Sequence, residues 1–89
     1  MYGMTTYEPL HYMLAYHHQH NCSCIASAKA GKRIKVLVYH QLDASKKPIP
    51  AYGTRSQNGK EFRVEVTAPD DQQDFYDLDF QDVIRHIYP

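Results

Sequence analysis

His17, His18, His20, Cys22 and Cys24 fall within eight consecutive residues, the densest run of soft metal ligands in the chain. On a strand, His18 and His20 would share one face, and Cys22 and Cys24 likewise, so an H-x-H or C-x-C pair could take one ion. All four could not reach the same ion, because each two-residue step along a strand adds about 6.8 Å. On a helix, the neighbouring pairs are His17 with Asn21 and His20 with Cys24. Structural zinc sites place two ligand pairs about a dozen or more residues apart, and the other imidazoles are His11, His40 and His86. The candidate metal ligands are therefore His18, His20, Cys22 and Cys24, set against a plainer reading. In that reading the thiols are small core residues, the imidazoles finish a tyrosine-rich helix, and no cofactor is bound. A disulfide across the single residue between Cys22 and Cys24 would be strained, so reduced thiols and a cytoplasmic location are expected.

Catalytic patterns are absent from the sequence. It holds no phosphate loop, no G-x-S-x-G and no H-E-x-x-H. A Cys–His pair needs a positioned base and a third group to orient it. Asp77 and Asp79 share one face of a strand, where solvated carboxylates stay ionised and unsuited to acid work. The expectation is a protein that is not an enzyme.

Charge is distributed unevenly. Lys plus Arg and Asp plus Glu are 10 each, a net of zero, with six His besides. Residues 29–63 hold nine basic side chains and two acids, a net of +7; residues 64–89 hold seven acids and one Arg, a net of −6. Either the two halves pair across a sheet and neutralise one another, or they form separate surfaces. The basic candidates are Lys32, Arg33, Lys35, Lys46, Lys47, Arg55, Lys60 and Arg63. Interleaved with Tyr39, Tyr52 and Phe62, they could hold single-stranded nucleic acid by stacking and phosphate contact. The acidic candidates, Asp70, Asp71, Asp74, Asp77, Asp79 and Asp82, could dock a basic protein.

The elements that must position these residues change character along the chain. Residues 1–5 read as a flexible start and residues 6–20 as a helix. Thr6 is its cap, Glu8 and Pro9 lie in its first turn, and Leu10, Met13, Leu14 and His17 form its buried stripe. Its other face would carry His11, Tyr12, Tyr16 and His18, an uncharged aromatic surface suited to a partner. Residues 21–30 are ambiguous. As a helix they have Asn21 as cap, three alanines and Gly31 as stop; as a strand, the cysteines and Ala26 and Ala28 alternate with Ser23, Ile25 and Ser27. The alanines favour the helix.

From residue 33 the period is two. Ile34, Val36, Val38 and Leu42 share one face, and Arg33, Lys35, Leu37 and Tyr39 the other. A polar loop at 43–47 is closed by Pro48 and Pro50. Residues 52–57 pair with 60–67 through Asn58-Gly59, a strong hairpin signal, turning Phe62, Val64 and Val66 inward. Residues 75–80 form the next strand, with Tyr76, Leu78 and Phe80 opposite Phe75, Asp77 and Asp79. Gln81-Asp82 turns into Val83, Ile84 and Ile87, a short strand or 3₁₀ turn.

Eighty-nine residues make one domain spanning 1–89. So small a chain is marginally stable and gains from a partner, which makes a homodimer a natural expectation. The N-terminus has no basic start or apolar run of a signal peptide, and no segment reaches membrane-spanning length. A helix followed by four or five short antiparallel strands, with the strands of residues 33–89 curling to bury one face, predicts an α+β, mainly β fold: a small Sm-like or SH3-like barrel.

The order of these segments resembles the Rof family, small bacterial antiterminators that bind the termination factor Rho. The likeness lies in a Tyr-led helix with Leu10 ending at His17-His18, and in Gly31-Lys32-Arg33-Ile34. It continues in Glu61-Phe62-Arg63-Val64-Glu65 and in Leu78-Asp79-Phe80-Gln81-Asp82-Val83. It implies a Sm-like fold and a protein contact made by acidic residues, here Asp74, Asp77 and Asp79. Pro50-Ala51-Tyr52-Gly53 and the hairpin at 58–66 resemble WYL domains, bacterial and phage ligand-sensing modules, although Glu61-Phe62-Arg63 stands in place of Trp-Tyr-Leu. The combined expectation is a small regulatory binding protein of transcription. Its partner-binding candidates are Asp74, Asp77, Asp79, Tyr12, Tyr16 and His11.

Overall fold

The computed structural model describes residues 12–41, 44–45, 47–67 and 73–88. Seven elements follow one another: β1 (Tyr12–Leu14), α1 (Gln19–Ala26), β2 (Arg33–His40), β3 (Ile49–Arg55), β4 (Glu61–Thr67), β5 (Gln73–Asp79) and α2 (Phe80–Ile87). The strands form one antiparallel sheet in the order β1-β2-β3-β4-β5, curled into a half-barrel with β1 and β5 at its edges. The expected mainly β architecture with antiparallel strands is present, with five strands and two helices among the described residues. Among the described residues, no helix is long and apolar enough to cross a membrane.

Strand alternation builds the core. Tyr12 and Leu14, Val36 and Val38, Ala51, Phe62, Val64 and Val66, and Tyr76 are buried on one face of the sheet. Ile25 and Ala28 cover that face from α1 and the turn after it, and Phe80, Val83 and Ile87 cover it from α2. Among the described residues, the opposite face of the sheet is open, with Arg33, Lys35, Tyr52, Arg63 and Phe75 exposed on it. Gly53 makes room for the core: a Cβ there would collide with the tip of the Phe62 ring, which comes up against bare backbone.

The helix expected over 6–20 does not extend through its second half. Tyr12–Leu14 is a strand, paired with His40, Tyr39 and Val38 of β2. As a strand this segment buries Tyr12 and Leu14 together and leaves Met13 half-buried. Burying such a side chain contributes about 1.5–3 kcal/mol, more than the differences in helix propensity among these residues. The expected flexible start at 1–5 and the residues up to His11 lie outside the described residues, as do Leu42, Asp43, Lys46, Asp70 and Asp71.

Helix does form within residues 21–30, but it begins earlier and ends sooner than its sequence signals suggest. His18 is the N-cap, its Nδ1 accepting from the His20 N–H at 3.1 Å. The C-cap is Ser27, four residues before Gly31. Asn21, read from sequence as a cap, is instead buried inside the helix. Pro50 is not the end of the preceding loop but part of β3, opposite Leu37. The β3–β4 pairing starts only at Tyr52, so the proline lies where no second ladder needs its N–H.

The predicted hairpin is present, but its turn spans Ser56–Gly59, closed by the Gly59 N–H on the Ser56 carbonyl at 2.9 Å. Gly59 takes the positive φ expected of it, +78°. The last segment is an α-helix rather than a strand or 3₁₀ turn. Asp79 caps it by accepting from the Asp82 N–H at 3.1 Å, and Phe80, Val83 and Ile87 recur on the face it buries.

Candidate functional site

Cross-strand register arranges the open face into rows. One row runs Lys35, Tyr52, Glu65, Phe75 across β2 to β5; the next runs Arg33, Thr54, Arg63, Asp77. Because directly opposed residues share a face, these side chains are neighbours. Tyr52 and Phe75 are 47% and 59% exposed, which is unusual for aromatic rings.

Each ring carries a guanidinium. Arg33 lies 4.0 Å from the Tyr52 ring centre, and Arg63 4.5 Å from that of Phe75. The arginines are also paired with acids: Arg63 binds Asp77 through two hydrogen bonds of 2.9 and 3.2 Å, and Arg33 Nε lies 4.0 Å from Glu65. The Asp77 carboxylate, first by its hydrogen bond and then by its charge, holds the Arg63 pKa above the usual value. Beside this lattice is a hollow of about 270 Å³ lined by Thr54, Ser56, Glu61, Arg63 and Asp77. Basic β2 and β4 residues and acidic β4 and β5 residues are thus interleaved on one surface.

The candidate residues distribute around this face. Asp77 is held by Arg63, and Asp79 caps α2. Asp74 occupies β5 opposite Val66. Lys32 and Lys60 are exposed in the turns flanking β2 and β4, and Lys35 is exposed in β2. Arg55 is turned to the other side, where Nε donates to the Gly59 carbonyl at 2.9 Å and the guanidinium lies 3.9 Å from the Phe80 ring. Phe62 is fully buried and takes no part in an exposed aromatic series.

The expected helix face of Tyr12, Tyr16 and His11 is not formed by its described members. Tyr12 is buried with its ring edge against His40, and Tyr16 is half-buried and stacked on His86 at 4.8 Å. The aromatic surface lies on the sheet instead. Phe75 was legible as part of it, because strand alternation puts it on the Asp77 face; no acidic or basic motif drew attention to it.

The His and Cys residues separate on α1. His20 and Cys24 meet one helical turn apart, with sulfur–nitrogen distances of 3.7 and 3.9 Å. Cys22 points elsewhere, donating to the Tyr16 carbonyl at 3.5 Å and packing against the core. His18 is the helix cap and His17 is exposed. Among the described residues, no three His, Cys, Asp or Glu side chains gather as metal ligands would.

Asn21 is the residue that sequence reasoning most misjudged. Its side-chain amide donates to the carbonyls of Ala15 and Leu37 at 3.0 and 2.8 Å, and its oxygen accepts from the Leu37 N–H at 2.8 Å. It continues the β1–β2 ladder where β1 ends and fastens α1 to β2. Comparison with protein-family models, curated proteins and solved structures finds no match to this chain.

Proposed function

We propose that the chain is a non-enzymatic regulatory module that binds a protein partner across the open face of its sheet. The observation that carries this reading is the pair of exposed rings, Tyr52 and Phe75, each with an arginine laid over it. Tyr and Arg are the residues that dominate binding energy at protein interfaces. Aromatic rings already steadied by a neighbouring guanidinium lose little rotamer freedom on docking.

Charge favours protein over nucleic acid. Phosphate binding draws its affinity from cations that displace counterions. Here Arg63 is neutralised by Asp77, and Arg33 lies beside Glu65. A surface of alternating sign suits a partner of alternating sign. The same reading takes the half-barrel as a relative of Sm-like and SH3-like barrels. The Rof resemblance makes Rho the first partner to test, with the contact centred on Tyr52 and Phe75 rather than on carboxylates alone.

The experiment is a titration of purified Rho with the wild-type chain and with Tyr52→Ala/Phe75→Ala. The expected result is saturable binding that the double variant weakens at least about tenfold, with both proteins melting at similar temperatures. Absence of binding removes the Rho assignment. Binding that survives the double substitution contradicts the sheet-face contact. Binding of a single-stranded oligonucleotide with steep salt dependence, in place of protein, favours the nucleic-acid reading instead.

A further inference from the structure

Along the part of β2 that β1 does not pair, at the margin of the open face, α1 and the chain leading into β2 line a hollow of about 310 Å³. Cys24 and His20 line one side, and Lys29, Lys32 and Lys35 line the other. None of the lining residues is acidic. Among the described residues, none of the three ammonium groups lies within ion-pair distance of a carboxylate. Three uncompensated cations around a concave surface concentrate anions and speed their arrival.

The thiol in this hollow sits beside an imidazole. His20 Nε2 donates to the Lys35 carbonyl oxygen at 3.0 Å, which holds the ring in place. The Cys24 sulfur is 3.7 Å from Nε2 and 3.9 Å from Nδ1, so it packs against the ring rather than on the lone pair of one nitrogen. Cys22 has neither neighbour, its thiol being spent on the Tyr16 carbonyl. Partly exposed cysteines in electropositive surroundings are the reactive ones.

We infer that this hollow is an anion-binding site whose Cys24 undergoes thiol–disulfide exchange with small anionic disulfides. The Cys24 thiol loses its proton to solvent, and the thiolate attacks one sulfur of the bound disulfide. The new S–S bond forms, the old one breaks, and the second sulfur leaves as a thiolate with the bonding electron pair. The product is a mixed disulfide on Cys24, oxidised at the expense of the reagent.

The test compares oxidised glutathione, which is anionic, with cystamine, which is cationic. Rates at Cys24 are measured by intact-mass spectrometry in a Cys22→Ser background, each divided by the reagent's rate with N-acetylcysteine amide. The site predicts a normalised preference for the anionic reagent on the order of tenfold at low salt. That preference should disappear in Lys29→Gln/Lys32→Gln/Lys35→Gln, a surface variant whose melting temperature reports its folding. The inference fails if the preference is missing or survives the triple substitution. It fails equally if Cys22, read in Cys24→Ser, reacts faster than Cys24.

Discussion

Asn21 performs with its side chain the work of one strand residue, pairing with both the N–H and the carbonyl of Leu37. It is fully buried, so neither group it serves has ready access to water in its place. Asn21→Ala leaves the Leu37 N–H without this acceptor and removes two donated bonds. The expected loss is about 2–4 kcal/mol, from a buried amide left unpaired together with lost hydrogen bonds. It is read as a lower urea midpoint with an unchanged slope. Asn21→Asp keeps the acceptor but sets a carboxylate against two carbonyls, and it should be no better tolerated. From sequence, Asn before a run of Ser, Cys and Ala reads as a cap, because the cap rule is local. Its partners are 6 and 16 residues away, and no local rule reaches that far.

At the scale of elements, legibility followed period. The alternation separated inward from outward residues at the described positions of β2, β4 and β5, with Val36, Val38, Phe62, Val64, Val66 and Tyr76 buried, because a one-residue slip would expose every apolar side chain in a strand; Phe80, read as the last residue of that alternation, belongs to α2. Short segments were harder. Tyr12–Leu14 carries a helical spacing, yet it is a strand, since β2 supplies a ladder and the core supplies burial. Phe80–Ile87 was hidden by the same brevity, though Asp79 and Asp82 at cap and third position announce a helix start. Asp79→Ala should destabilise the fold by about 1 kcal/mol, and Asp79→Ser should restore most of it. Thermal melting of the two variants decides this. Equal melting for Ala and wild type would mean that packing of Phe80, Val83 and Ile87 holds α2 without its cap. The cysteine and histidine run also resolved at this scale: helical spacing joined His20 to Cys24 and sent Cys22 to the core.

Across the whole molecule, the net charge of zero is a statement about one surface. The basic middle and acidic tail of the sequence meet at the β4–β5 pairing, where Arg63 takes Asp77, and Arg33 reaches Glu65 from two strands away. Exposed pairs of this kind add little stability, about 0–1 kcal/mol each, so their effect is to set the sign pattern of the open face. Charge totals by segment were readable from sequence. The face on which they lie was not, because that depends on strand register and on which side the helices cover. Among the described residues, three large aromatic rings are exposed: Tyr52 and Phe75 on the sheet, and Tyr88 at the end of α2, 58% exposed. They allow the most direct test of a sheet-face partner. A photo-reactive phenylalanine analogue is placed at 52, 75 or 88 in turn, and the cross-linked products from living cells are identified by mass spectrometry. The account predicts one common protein captured from positions 52 and 75 and absent from 88. Capture of that protein from 88 as strongly as from 52, or of nucleic acid from 52 and 75, would contradict it.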